Sequence, residues 1–148
     1  MIAIRTIEEE LSDLKKSNEH NCFEYDNPSV TFSSVCNAHF RQVKRPNRYG
    51  IYIVCQKSTN QVLYIGKSGT INKQGEFSKQ DIPGRLTNTK DGISSNEWFR
   101  SLVSAKGAVV VEYVFLDKMP ASPALAESIL LQAYLDEHGQ LPYRNNEF

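Results

Sequence analysis

Two tyrosines with a run of positive charge around them are the residues of this chain best equipped for chemistry. Tyr52 closes the tripeptide Gly50-Ile51-Tyr52 and Tyr64 opens Tyr64-Ile65-Gly66. A phenol titrates near pH 10, so it exchanges protons near neutrality only where neighbouring positive charge assists it. That charge is present locally although the chain as a whole is neutral. Residues 1 to 40 carry three Lys/Arg against seven Asp/Glu, residues 41 to 106 carry twelve against four, and residues 107 to 148 carry two against six. The basic middle segment suits phosphate, because Lys and Arg gain affinity by releasing the counterions condensed on a nucleic-acid backbone. Its densest part is Arg41, Lys44, Arg45 and Arg48, and Lys73, Lys79 and Lys90 continue it.

The elements that must position these groups are legible in outline. Ile51 to Cys55 and Val62 to Ile65 are β-branched and aromatic runs of strand length separated by the turn residues Lys57-Ser58-Thr59-Asn60, which predicts a hairpin. Side chains alternate along a strand, so the two phenols share a face with one parity of register and part company after a slip of one residue. Ala108 to Leu116 predicts a third strand and Asn96 to Ala105 a helix ended by Gly107. Ser122, Pro123 and Gly139 punctuate another helix whose apolar side is Leu125, Ile129, Ala133 and Tyr134, widened by Leu130 and Leu131, with Glu127 near the stripe's edge. Thr6 to Ser17 reads as an amphipathic helix, free to pack on the sheet or on another subunit. Gly69 to Gln80 reads as an exposed loop whose Lys73, Gln74, Lys79 and Gln80 are placed to touch a substrate backbone.

The two tripeptides, followed by Arg85 in Gly84-Arg85-Leu86, Glu127 in a helical stretch and Asn145 after Pro142, resemble the ordered signature of the GIY-YIG nuclease family. The likeness runs from about Tyr49 to Asn146. It implies an α+β fold with a small three-stranded antiparallel sheet flanked by helices: residues 49–148 as the nuclease-like region, with 1–48 as an N-terminal extension packed on the same single domain. It further implies metal-dependent hydrolysis of DNA phosphodiesters. Tyr52 would act as general base, Tyr64 would orient water or phosphate, Arg85 would grip the phosphate and Lys67 would add charge. Glu127 would hold one Mg²⁺ or Mn²⁺, and Asn145, or else Asn146, would give a supporting hydrogen bond. Family members often carry His or Tyr four residues after the arginine; Thr89 stands there in this chain, which leaves that role empty or passes it to a Lys such as Lys90. Lys67 poses a separate question, since strict alternation from Tyr64 aims it away from the phenols unless the strand ends or bulges at Gly66. A module of the same fold that binds nucleic acid or protein without turnover is the competing expectation.

The remaining features bound the protein more loosely. Its 148 residues fit one domain. Met1 to Ile4 is too short an apolar run for a signal peptide, no stretch is long enough for a membrane span, and three cysteines without paired spacing point to reduced thiols in a cytoplasm. His20, Cys22, Cys36 and His39 are zinc donors by type, but their spacing matches no familiar finger and Phe23, Phe32 and Phe40 beside them favour ordinary packing. With no second DNA-binding domain evident, specificity would come from the 69–80 segment, the N-terminal extension, a homodimer or a recruiting protein partner.

Overall fold

The structure, a computed structural model, describes residues 5–116 and 122–148. The Met1 to Ile4 run weighed above as a leader lies outside them. Thr6 caps α1 (Ile7–Ser17) through a reciprocal pair with Glu9, the expected amphipathic helix. β1 (His20–Tyr25), α2 (Phe32–Phe40), β2 (Gly50–Gln56) and β3 (Val62–Ser68) follow. A small hairpin, β4 (Thr70–Ile71) and β5 (Phe77–Ser78), leads into the short α3 (Ile82–Leu86), then α4 (Ser95–Lys106), β6 (Val109–Phe115) and α5 (Pro123–His138). The chain is an α+β fold.

The main sheet is antiparallel in the order β1-β6-β2-β3, four strands where the sequence suggested three. The unforeseen strand is β1, whose His, Asn, Cys and Glu hide a two-residue alternation carried only by Phe23 and Tyr25. Its pairing with β6 is a long-range event that no local signal announces. The N-terminal third is therefore built into the domain: β1 completes the sheet, and α2 delivers Phe32, Cys36 and Phe40 to the core.

Helices cover both sheet faces. On one, α2, α3 and α4 pack Phe32, Ile82, Leu86, Trp98 and Phe99 against Tyr52, Val54, Leu63 and Tyr113. On the other, α1 and α5 pack Ile7, Ala126 and Leu130 against Ile51, Ile53, Ile65 and Val114. α5 keeps its expected bounds, with Ser122 accepting from Leu125 N and Gly139 in the left-handed conformation. Its buried side differs from the expectation, since Leu125 and Ile129 are 51% and 39% exposed while Ala126, Leu130, Ala133 and Tyr134 face inward. A helix apolar on most sides leaves the choice of face to the sheet it meets. The 69–80 segment is a folded hairpin seated by Phe77, which stacks on Tyr49 with centroids 5.0 Å apart. Among the described residues no helix is long and apolar enough to cross a membrane.

Candidate active site

The phenols meet because of one irregularity. Gln56 N donates to Gln61 O across the hairpin, leaving a loop of four residues, and Cys55 pairs with Val62. Continued unbroken, that register would set Tyr52 and Tyr64 on opposite faces. A shift at Val54/Cys55 makes Leu63 the extra residue, so that Val54 pairs with Tyr64 and Tyr52 with Gly66. Leu63 and Tyr64 consequently both pack on the side of α2, α3 and α4. The two phenol rings lie diagonally, 6.0 Å between centroids.

Gly66 is required for space rather than for backbone freedom. A Cβ there would stand 2.4 Å from Tyr52 Cζ and 2.6 Å from its oxygen, so the Tyr52 ring lies where a side chain of β3 would be. Tyr52 is fully buried, and among the described residues its hydroxyl has no partner at hydrogen-bond distance and angle, though it lies close enough to the Tyr64 hydroxyl for each to shift the other's proton affinity. Burial pushes this phenol well above its ordinary value, the neighbouring Tyr64 adds to the rise, and Arg85 opposes it. Tyr64 is also raised by burial and lowered by Arg85. An unsatisfied buried hydroxyl is costly, by about 1–3 kcal/mol, and is rare enough to mark a place where a ligand atom or water belongs.

Arg85 reaches the same cleft from α3. Asp81 caps that helix with one oxygen, accepting from Gly84 N at 3.0 Å, and with the other holds Arg48 Nε at 3.1 Å. Arg48 thus ties α3 to the chain entering β2. The half-buried Arg85 guanidinium has no hydrogen bond or ion pair among the described residues. Beneath it Lys90 is 6% exposed, its Nζ donating to Arg85 O at 2.7 Å and lying 6.0 Å from the Tyr52 ring centroid. Lys90 is therefore an internal support and not a surface contact for nucleic acid, while Thr89 is exposed. Burial first, and Arg85 second, bring the Lys90 ammonium down to about 8. A folded value below the unfolded one means that stability rises with pH between the two, as the unfolded chain there holds the extra proton. The melting temperature of Lys90→Met relative to wild type should fall between pH 8 and about 10.5, because only the wild type gains stability over that range. Parallel thermal melts over that range check it.

Glu127 comes from the other layer. It rises from the first turns of α5 past β3, which is an edge strand, and joins Tyr52, Tyr64, Arg85, Lys67, Lys79 and Gln80 in lining a cleft of about 290 Å³. Its carboxylate has no ion pair or hydrogen bond among the described residues. Burial raises its proton affinity, and Lys67 and Arg85 pull it back. Lys67 reaches the cleft although β3 neither ends nor bulges at Gly66, because its register partner is Ile51 and it stands on the α5 side with Glu127. Both faces of an edge strand open onto one cleft once the residue between them is glycine.

Asn145 lies behind the cleft. Its amide accepts from Ile65 N and donates to Ile65 O, both at 2.9 Å, and Arg144 N donates to Leu63 O, so the C-terminal segment closes the open edge of β3 beside Tyr64. These bonds support the strand. Asn145→Ala should lower unfolding free energy in urea by about 1–3 kcal/mol, since the Ile65 groups lose both partners.

Of the remaining basic residues, Arg45 pairs with Glu19 and lies over Phe115, and Arg48 is engaged as described. Arg41, Lys44, Lys73 and Lys79 are exposed. The zinc donors are separated by the sheet. Cys36 and His39 stand with Phe23 in the α2 layer, whereas alternation along β1 turns His20 and Cys22 the other way. Burial drives the Cys36 thiol up to about 12, and His39 is held 2.6 Å from the Tyr113 hydroxyl. No match was found to this chain among family models, curated proteins or solved structures.

Proposed function

We propose that this protein is a metal-dependent endonuclease of the GIY-YIG type, hydrolysing phosphodiester bonds of DNA. One observation carries the proposal: two phenols, a guanidinium and a carboxylate that are both without an ion pair among the described residues, distant in the chain, line a single cleft together with Lys67 and Lys79. A phosphodiester resists attack through its own charge and a poor leaving group, so a site for it needs cations at the oxygens and a means of deprotonating water.

Each residue has a part that its placement supports. Arg85 takes non-bridging oxygens with its planar fork, and Lys67 and Lys79 add charge at the rim. Tyr64 orients water or phosphate. Tyr52 acts as general base in its phenolate form: after its own proton has left to solvent it accepts a hydrogen bond from the attacking water and takes that water's proton. Because burial holds that phenol above its ordinary value, this last step depends on positive charge brought into the cleft.

Glu127 fits one divalent ion, Mg²⁺ or Mn²⁺. A half-buried carboxylate without a partner is stabilised by a cation, and Mg²⁺ accepts a single protein carboxylate because it keeps waters and takes phosphate oxygens. No group of three or more His, Cys, Asp or Glu among the described residues forms a protein-only cage. When bound, the ion neutralises phosphate charge and acidifies a coordinated water.

A second reading, a nucleic-acid-binding module without turnover, is favoured by the same raised Tyr52 phenol. Supercoiled plasmid and single-stranded DNA incubated with Mg²⁺, with Mn²⁺ and with chelator separate the two. The nuclease nicks or linearises only with the metals; the module leaves every substrate intact while still binding it.

A further inference from the structure

Glu127 and Tyr64 form a wall with a recess on each side. Beyond the cleft already described lies a second recess of about 380 Å³, closed by the turn at Asp91 and by the C-terminal segment through Asn146, Glu147 and Phe148. The two differ in charge. The first brings Arg85, Lys67 and Lys79 to one carboxylate. The second sets Asp91, Glu127 and Glu147 against Arg144 alone.

That contrast sorts the parts of a nucleotide. A recess with three carboxylates repels phosphate, and its acids do not cluster as a cation cage among the described residues. A neutral, flat, hydrogen-bonding group suits it better. Phe148 offers a ring face, 58% exposed, of the kind on which bases stack. Asp91 is held in orientation by Asn146 Nδ2 at 3.1 Å on one oxygen and Trp98 Nε1 at 3.3 Å on the other, and each oxygen keeps a free lone pair. Asn146 retains its carbonyl and one N–H. Carboxylates accept from the amino group of cytosine, and asparagine pairs with adenine. Asn145, in the same lining, is tied to Ile65 through both ends of its amide.

We propose that this second recess is a nucleobase subsite, receiving an unstacked base with an exocyclic amine from the nucleotide whose phosphate lies at Arg85 and Glu127. The inference rests on the proposed nuclease reading and adds a substrate class to it: a single-stranded or locally opened nucleotide next to the cut. A base in a closed duplex does not reach a pocket of this kind without leaving the stack.

Binding in chelator tests this independently of turnover. Anisotropy titrations would use labelled dA, dC and dT decamers and an adenine decamer with one central 2-aminopurine. The expectation is tighter binding of dA and dC than dT, a change in 2-aminopurine emission on binding, and a loss of about 5- to 150-fold for the exposed Phe148→Ala variant. Asn146→Ala should level the preference over dT. Equal affinities of wild type and Phe148→Ala for all decamers, an unmoved 2-aminopurine signal, or no binding by the wild type would each overturn the subsite. Plasmid cleavage measured alongside keeps the readings apart: cleavage without these base effects leaves the nuclease and removes the subsite, and base effects without cleavage do the reverse.

Discussion

Glu127→Gln should abolish metal-dependent cleavage and at the same time make the metal-free protein more stable at neutral pH. The loss of turnover is expected to reach about 10³-fold or more, since holding the ion is worth several kcal/mol of transition-state charge stabilisation. The gain in stability follows from the sign of the shift. Burial raises the folded carboxyl above its ordinary value of 4.5, so the folded state prefers the proton. Its favourable contribution is complete below that ordinary value and is lost as pH rises through the folded one. At pH 7 the buried charge is a burden that glutamine removes. In chelator the variant should melt above wild type, and the gap should close as pH falls towards 4. Added Mg²⁺ should raise the wild-type melting temperature, by mass action on the folded state, and leave the variant unmoved. A variant that melts with wild type at every pH, or that still cleaves, would remove Glu127 from the site.

Gly66→Ala should damage both the stability of the protein and the geometry of the cleft. The new carbon would overlap the Tyr52 ring, 2.4 Å from Cζ, and the ring is fully buried against β6 and the α2 layer. Overpacking of this kind costs about 1–3 kcal/mol, which a urea titration resolves. If Tyr52 is the base of the proposed nuclease, activity should fall further than stability, because moving a reacting hydroxyl by about 1 Å costs on the order of 10²-fold. Adding Tyr52→Leu takes away the overlapping atoms, so the double variant should lose less stability than the two single losses combined. Additive losses would mean that the ring and the glycine do not compete for the same space.

These two residues show how unevenly the site could be read from the chain. The tripeptides, Arg85 and Glu127 are visible by type and order, and Lys90 is visible as a basic residue near the place of the absent His or Tyr. Nothing local marks Lys90 as buried; its place follows from the turn after α3 folding under Tyr52. The second recess was invisible for the same reason, since Asp91 and Asn146 are far apart in sequence and joined by a side-chain hydrogen bond.

The sequence by itself determined the parts whose causes lie within a few residues: α1 with its Thr6 and Glu9 pair, α5 between Ser122-Pro123 and Gly139, and the β-branched runs of β2, β3 and β6. Caps and strand propensities act locally, so they can be read locally. Only the tertiary structure decided the fourth strand, the inward side of α5, and the extra residue at Leu63 that turns Tyr64 to the face of Tyr52. Each of these is a choice among pairings or packings that are nearly equivalent along the chain, and it is settled by which arrangement buries Phe23, Leu63 and Ala126 against partners from elsewhere in the fold.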